Sequence, residues 1–214
     1  MSRSLLSITP RLFQPYRCLK QQSVKLKKHP RDYPKITGNE LWRRKFRTLF
    51  QYKDVNKDGY LKKVDYEMSA WRIIQYMDLS GEMAADVMET QLQMWEYITA
   101  NAPYMEGITL NDFTENCLKA YNEENTRFGL ITACCSEFDA LDLDANGVIS
   151  PKEHAAFFYS YFVPAEHSPP VFRAMDTDSD GVITKAEFVQ GMIDFLLSED
   201  PKSPYVNFFG PLAN

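Results

Sequence analysis

Asp142-Leu143-Asp144-Ala145-Asn146-Gly147-Val148-Ile149-Ser150-Pro151-Lys152-Glu153 and Asp176-Thr177-Asp178-Ser179-Asp180-Gly181-Val182-Ile183-Thr184-Lys185-Ala186-Glu187 are two copies of one twelve-residue pattern, starting 34 residues apart. Side-chain oxygens fall at positions 1, 3 and 5, glycine at 6 and glutamate at 12. A Ca2+ ion takes roughly six to eight hard oxygen ligands, and glycine at position 6 permits the sharp turn that gathers positions 1, 3 and 5 on one side. The backbone carbonyl at position 7 and a bidentate carboxylate at 12 close the other side. The candidate ligands are therefore Asp142, Asp144, Asn146, Val148 and Glu153 in one turn, and Asp176, Asp178, Asp180, Val182 and Glu187 in the other. A lone match could be an acidic turn that binds nothing, whereas a tandem repeat points to metal.

Each turn carries a second mark. Ser150-x-x-Glu153 and Thr184-x-x-Glu187 have the capping-box form, with Pro151 at a first helical position, so a helix starts inside each turn and its glutamate doubles as a ligand. This is the EF-hand loop, flanked by two helices. Ile149 and Ile183 at position 8 are placed to pair two such loops through a short antiparallel bridge.

Upstream, Asp54-Val55-Asn56-Lys57-Asp58-Gly59-Tyr60-Leu61-Lys62-Lys63-Val64-Asp65 is a third loop with two departures. Position 12 is aspartate, one methylene shorter than glutamate, and position 9 is Lys62, which cannot ligate. The candidate ligands are Asp54, Asn56, Asp58, the Tyr60 carbonyl and Asp65. A shorter carboxylate lowers the coordination number toward octahedral, which suits Mg2+. Ca2+ is thus expected at three sites, with Mg2+ competing above all at the first. Register places a fourth loop at Asn101–Asp112, where Pro103 and Met105 replace ligands and Glu106 replaces the turn glycine. It is expected to bind no calcium, yet Ile108 keeps the bridge position and Thr109-x-x-Asp112 the cap, as a structural partner for the first loop needs.

The expected fold is all-α: two pairs of EF-hands packed into one compact unit, with short antiparallel bridges between paired loops. The pairs span 39–123, the second hand degenerate, and 124–198, with the seam at Asn122–Asn125. Helical spacing marks Leu41, Trp42, Phe46, Leu49 and Phe50 ahead of the first loop, and Val64, Met68 and Trp71 on one face after it. Met88, Leu92, Trp95 and Ile98 form a third stripe, and Phe128, Ile131, Cys135 and Phe138 the core face of the helix delivering Asp142. His154, beside a loop glutamate, is expected to be partly exposed. The apolar tail 199–214, with Phe208 and Phe209, is expected to pack between the halves, since exposed it would be sticky.

Apolar residues make up 44% of the 214, with 14 Phe, 12 Tyr and 3 Trp, ample for a filled core. No apolar run is long enough to cross a bilayer. The four cysteines, Cys134 and Cys135 adjacent among them, read as reduced core thiols of an intracellular protein. A net charge of −5 hides an asymmetry: residues 1–31 hold eight Lys/Arg and no acid, leaving 16 basic against 29 acidic residues beyond them. That acidic body suits cations and argues against nucleic acid. The basic residues 1–31 have the composition of a transit peptide, interrupted by Pro10 and Pro15. Residues 1–38 are read as a disordered extension outside the fold; the cytoplasm is the expected compartment, the mitochondrion the alternative if 1–31 are cleaved.

First, third and fourth loops intact, a ligand-poor second and an aromatic tail reading Phe208-Phe209-Gly210-Pro211-Leu212 resemble the invertebrate sarcoplasmic calcium-binding proteins and calexcitins, over about residues 39–214. The resemblance implies a compact, all-helical, cytosolic calcium buffer whose sites also take Mg2+, and the chain is expected to be a monomer. Calexcitins imply an alternative, a sensor that exposes an apolar surface to a target protein on binding Ca2+. Coelenterate photoproteins and luciferin-binding proteins share the layout, but the photoprotein pattern is poorly met by a chain whose histidines are His29, His154 and His167 and which ends in Asn214. With four acids against three, the fourth loop is expected to be the tightest, within about 10⁻⁹ to 10⁻⁷ M. Every carboxylate cluster is accounted for by a metal loop, and no nucleophile–base pair, phosphate loop or zinc motif points to an enzyme.

Overall fold

The computed structural model describes residues 24–99 and 107–213. Eight α-helices and two two-stranded ribbons are found among them: α1 Glu40–Lys53, β1 Tyr60–Leu61, α2 Lys63–Met77, α3 Gly81–Thr99, β2 Ile108–Thr109, α4 Leu110–Ala120, α5 Glu124–Leu141, β3 Val148–Ile149, α6 Pro151–Ser160, α7 Ser168–Met175, β4 Ile183–Thr184 and α8 Lys185–Leu197. The helices start where side chains can cap them. Asn39 accepts from the Trp42 amide at α1, Thr109 from Asp112 at α4, Ser150 from Glu153 at α6 and Thr184 from Glu187 at α8; each satisfies a donor the helix cannot. β1 pairs antiparallel with β2 (Leu61 opposite Ile108) and β3 with β4 (Ile149 opposite Ile183). The all-helical paired architecture is as the sequence predicts.

Leu61, Ile108, Ile149 and Ile183 turn inward from the ribbons into one continuous core. Its centre is aromatic: Trp42 stacks on Phe46 at 3.9 Å, Phe138 meets Phe188 edge-on at 5.8 Å, and Phe195 lies 5.0 Å from Phe209. Such pairs add modestly to the stability that their burial supplies. A smaller cluster of Ala70, Ile73, Ile74 and Val87 joins α2 to α3, and α2 also packs along α6. Cys117 and Cys134 are free thiols. No helix is long and apolar enough to cross a membrane among the described residues.

Four expectations are corrected. Residues 24–38 are not a detached extension: Leu26, Tyr33 and Ile36 are buried in the core. Polar partners hold this strap. The Lys28 amide donates to Gln190 (2.9 Å), the Tyr33 hydroxyl to Asp194 (3.0 Å), and Arg127 to the Tyr33 and Pro34 carbonyls at 2.6 and 2.8 Å. On α5 the buried stripe is Leu130, Cys134, Phe138 and Leu141, leaving Phe128 89% exposed. On α2 the buried face carries Tyr66, Ala70, Ile73 and Ile74, while Val64 and Trp71 (57% exposed) face outward. His154 is fully buried, its Nδ1 2.9 Å from Ser168 Oγ and its ring 4.7 Å from that of Phe158.

Candidate metal centre

In the third loop, between α5 and α6, and the fourth, between α7 and α8, the C-cap of the incoming helix is also position 1 of the loop, Asp142 or Asp176. Its two oxygens hold the turn by accepting from the amides of positions 5 and 6. Asp142 takes Asn146 (2.9 Å) and Gly147 (2.8 Å), and Asp176 takes Asp180 and Gly181, both at 3.1 Å. The turn demands left-handed backbone twice. Gly147 and Gly181 supply it at position 6 with φ of 88° and 89°, but position 4 is occupied by Ala145 (55°) and Ser179 (61°). The loop's hydrogen bonds offset the strain of these non-glycine residues.

Position 12 closes each turn. Glu153 accepts from the Leu143 amide (2.8 Å) and from the amide and hydroxyl of Ser150 (2.8 and 2.7 Å). Glu187 accepts from the amide and hydroxyl of Thr177 (both 2.7 Å) and from Thr184. Carboxylate oxygens of Asp142, Asp144 and Glu153 come within 4.8 Å of one another, as do those of Asp176, Asp178 and Glu187. Like charges this close disfavour one another's ionised form, and a bound cation would relieve that repulsion. Burial, then the neighbouring Glu153 and Asp144, raise the Asp142 carboxyl above its ordinary range. At Glu187 burial pushes upward, yet hydrogen bonds from Thr184 and Thr177 outweigh it and hold the carboxyl low. The Asn146 and Asp180 side chains accept from the amides of Val148 and Val182 (2.9 and 3.0 Å), and Asp180 is not among the carboxylates grouped in the fourth loop. The donor set, hard oxygens only, fits Ca2+ or Mg2+ and no soft metal.

The first loop repeats this frame between α1 and α2. Asp54 accepts from Asp58 (3.1 Å) and Gly59 (2.9 Å), and Lys57 takes the left-handed position 4 with φ 61°. It differs at position 12. Asp65 accepts from the amide of Asn56 (3.2 Å), at position 3, where the longer glutamates reach position 2. Burial, offset by its amide bonds, raises the Asp65 carboxyl. Lys62 Nζ lies 2.7 Å from Asp58 Oδ2, and this contact lowers the Asp58 carboxyl. The sequence shows that Lys62 cannot ligate, but not that it reaches a candidate ligand, Asp58. Nor does it show the role of Thr177, whose hydroxyl steadies Glu187; only a hydroxyl at position 2 signals this.

Of the degenerate second loop, Pro103, Met105 and Glu106 lie outside the described residues, as does the Ile98 side chain. Its end is described: Thr109 accepts from the Asp112 amide at 3.2 Å and donates to Asp112 Oδ2 at 2.6 Å. Gly107 has φ 105°, and a Cβ there would come 2.9 Å from Tyr60 Cβ. Only glycine lets β2 approach β1 so closely.

The EF-hand family profile matches residues 136–154 and 170–193, the third and fourth hands. A sarcoplasmic calcium-binding protein of Perinereis vancaurica tetradentata is 29% identical over 82% of this chain and all of its own length. The luciferin-binding protein of Renilla reniformis is 27% identical over 84% of this chain and likewise all of its own. The calcium-loaded apo form of the coelenterazine-binding protein of Renilla muelleri superposes with a TM-score of 0.70 at 26% identity, covering 81% of this chain and 99% of that one. The profile match, the convergent carboxylates of the third and fourth loops and these likenesses together support calcium binding by EF-hands, in a chain similar to the sarcoplasmic calcium-binding proteins.

Proposed function

We propose that the chain is a non-enzymatic, monomeric, cytoplasmic calcium buffer with three working sites. Asp54, Asn56, Asp58, the Tyr60 carbonyl and Asp65 hold the first ion, with Mg2+ competing for it. Asp142, Asp144, Asn146, the Val148 carbonyl and Glu153 hold the second. Asp176, Asp178, Asp180, the Val182 carbonyl and Glu187 hold the third. In each, the position-1 aspartate pre-forms the turn, and the position-12 carboxylate exchanges its amide partners for the ion.

The observation that favours buffering over sensing is the tail. Phe208 and Phe209 are buried against Phe188 (5.4 Å), Phe157 (5.7 Å) and Phe195. Farther along, the Ala213 amide donates to Thr48 of α1 at 2.8 Å. A sensor opens its hands to bare an apolar groove for a target; here the chain's own rings cover the aromatic faces of α6 and α8. Calorimetric titration should give three binding events, and an apolar-surface dye should brighten no more with Ca2+ than without. A large calcium-dependent rise would favour the sensor that recruits a target protein, and only two events would remove one site.

A second reading, carriage of a small aromatic ligand, draws on the luciferin-binding relative and on two orphaned atoms. The buried Tyr66 hydroxyl and Gln91 Oε1 have no hydrogen-bond partner among the described residues, and the Tyr66 ring lies 5.7 Å from Trp95. Unpaired buried polar groups cost stability unless something meets them. Quenching of tryptophan emission by added coelenterazine, lost in Tyr66→Phe, would support it. Mitochondrial residence rests on residues 1–31, of which 1–23 lie outside the described residues.

A further inference from the structure

The three loops share a frame but not a charge. Across residues 142–153 three acids meet one lysine, Lys152, and across 176–187 four acids meet one, Lys185. Across residues 54–65 Asp54, Asp58 and Asp65 meet three: Lys57, Lys62 and Lys63. Two of these point away, Lys57 donating to the Gln51 carbonyl (2.5 Å) and Lys63 pairing with Glu67 (3.7 Å). Lys62 points in.

Its ammonium sits 2.7 Å from Asp58 Oδ2 and 4.9 Å from the Tyr60 ring centroid. The other Asp58 oxygen accepts from the Tyr60 amide at 3.0 Å, so both oxygens of this ligand are engaged. Position 9 in the other loops is Ser150 or Thr184, whose hydroxyl serves the position-12 glutamate instead.

We propose that Lys62 is a tethered counter-ion that occupies the divalent cation's electrostatic place in the first loop and makes this the weakest of the three sites. A metal entering must draw Asp58 off the ammonium and then tolerate that charge nearby. Both effects lower affinity without touching the ligand set. The pair is partly exposed, with side chains 38% and 35% accessible, so solvent and salt screen it and the effect is moderate. This rests on the three-site reading above and assigns the order of filling within it.

The test is calcium calorimetry on the full chain with Lys62→Gln, with Lys63→Gln as a control of equal charge, and with Asp54→Ala to mark the first-loop event. Lys62→Gln should tighten that event about tenfold and move the other two less than about twofold, while Lys63→Gln should change it less than about threefold. First-loop affinity unchanged or weaker in Lys62→Gln overturns the proposal, as does Lys63→Gln matching it, which would reduce the effect to general charge. A third event absent from the wild type but present in Lys62→Gln sinks the three-site count and keeps the role of Lys62. Its absence from both removes both.

Discussion

Asp65 reaches the position-3 amide where Glu153 and Glu187 reach position 2. One methylene thus decides how far the closing carboxylate extends over the cavity. Asp65→Glu should tighten Ca2+ at the first loop roughly tenfold and weaken Mg2+ relative to it, since a bidentate glutamate favours the larger, more flexible coordination sphere; calcium titration with and without millimolar Mg2+ reads both. His154 carries a different prediction. Burial pulls its imidazole down to about 3, against an unfolded value near ~6.5. Between those values the unfolded chain binds a proton the folded chain does not, so stability is lost as pH falls through that window, by up to about 1.4 kcal/mol per pH unit. Metal-free His154→Gln should show a shallower acid decline in denaturant midpoints than the wild type; an equal slope would assign the decline to other groups. The loop frame was legible because backbone geometry dictates residue type at fixed offsets, as Gly59, Gly147 and Gly181 show. The direction of Lys62 and the burial of His154 were not, because a rotamer and a neighbouring helix decide them.

Capping chemistry made helix starts readable: Ser150–Pro151 and Thr184 mark the first turns of α6 and α8 as found. Helix faces were less readable. On α5 two stripes share Phe138, one running through Phe128 and Ile131, the other through Leu130 and Cys134; contact with α8, invisible to local periodicity, selects the second. The exposed Trp71 on α2 has the same origin, since α3 and α6 fix that helix's inner face. Two glycines test how elements meet. Gly107→Ala must place a methyl against Tyr60 at a left-handed backbone position. It should cost about 1–3 kcal/mol and loosen the first loop through β1. Gly129, on α5, has open space beside it, so Gly129→Ala should stabilise by roughly 0.5–1 kcal/mol. Thermal unfolding of the two variants side by side distinguishes a packing requirement from a merely flexible residue.

The two ends of the described chain hold the halves together. The strap 24–38 is pinned to α8 by Gln190 and Asp194, and its Ile36 backbone bonds Asn122, just beyond α4. The seam read at Asn122–Asn125 is thus bridged by chain whose basic composition masked three buried apolar residues. Glu199 adds a second clasp, accepting from the Thr37 and Asn39 amides at 3.1 and 2.8 Å. The tail completes the closure, and its docking is prepared on α8: Gly191 leaves room for the Tyr205 and Phe208 rings, which a Cβ there would meet at 3.0 and 3.2 Å. Phe208 is 1% exposed, and truncating a buried phenylalanine costs about 3–5 kcal/mol, so Phe208→Ala should lower the denaturant midpoint by that much. A chain ending at Ser203 would go further, baring the aromatic faces of α6 and α8 that the tail covers. If those faces are the ones a sensor would offer, the shortened chain should bind an apolar dye strongly, and only then should Ca2+ change the signal. Strong calcium-dependent dye binding by the intact chain would mean that the tail leaves its seat when metal arrives, and the buffer reading would give way to the sensor.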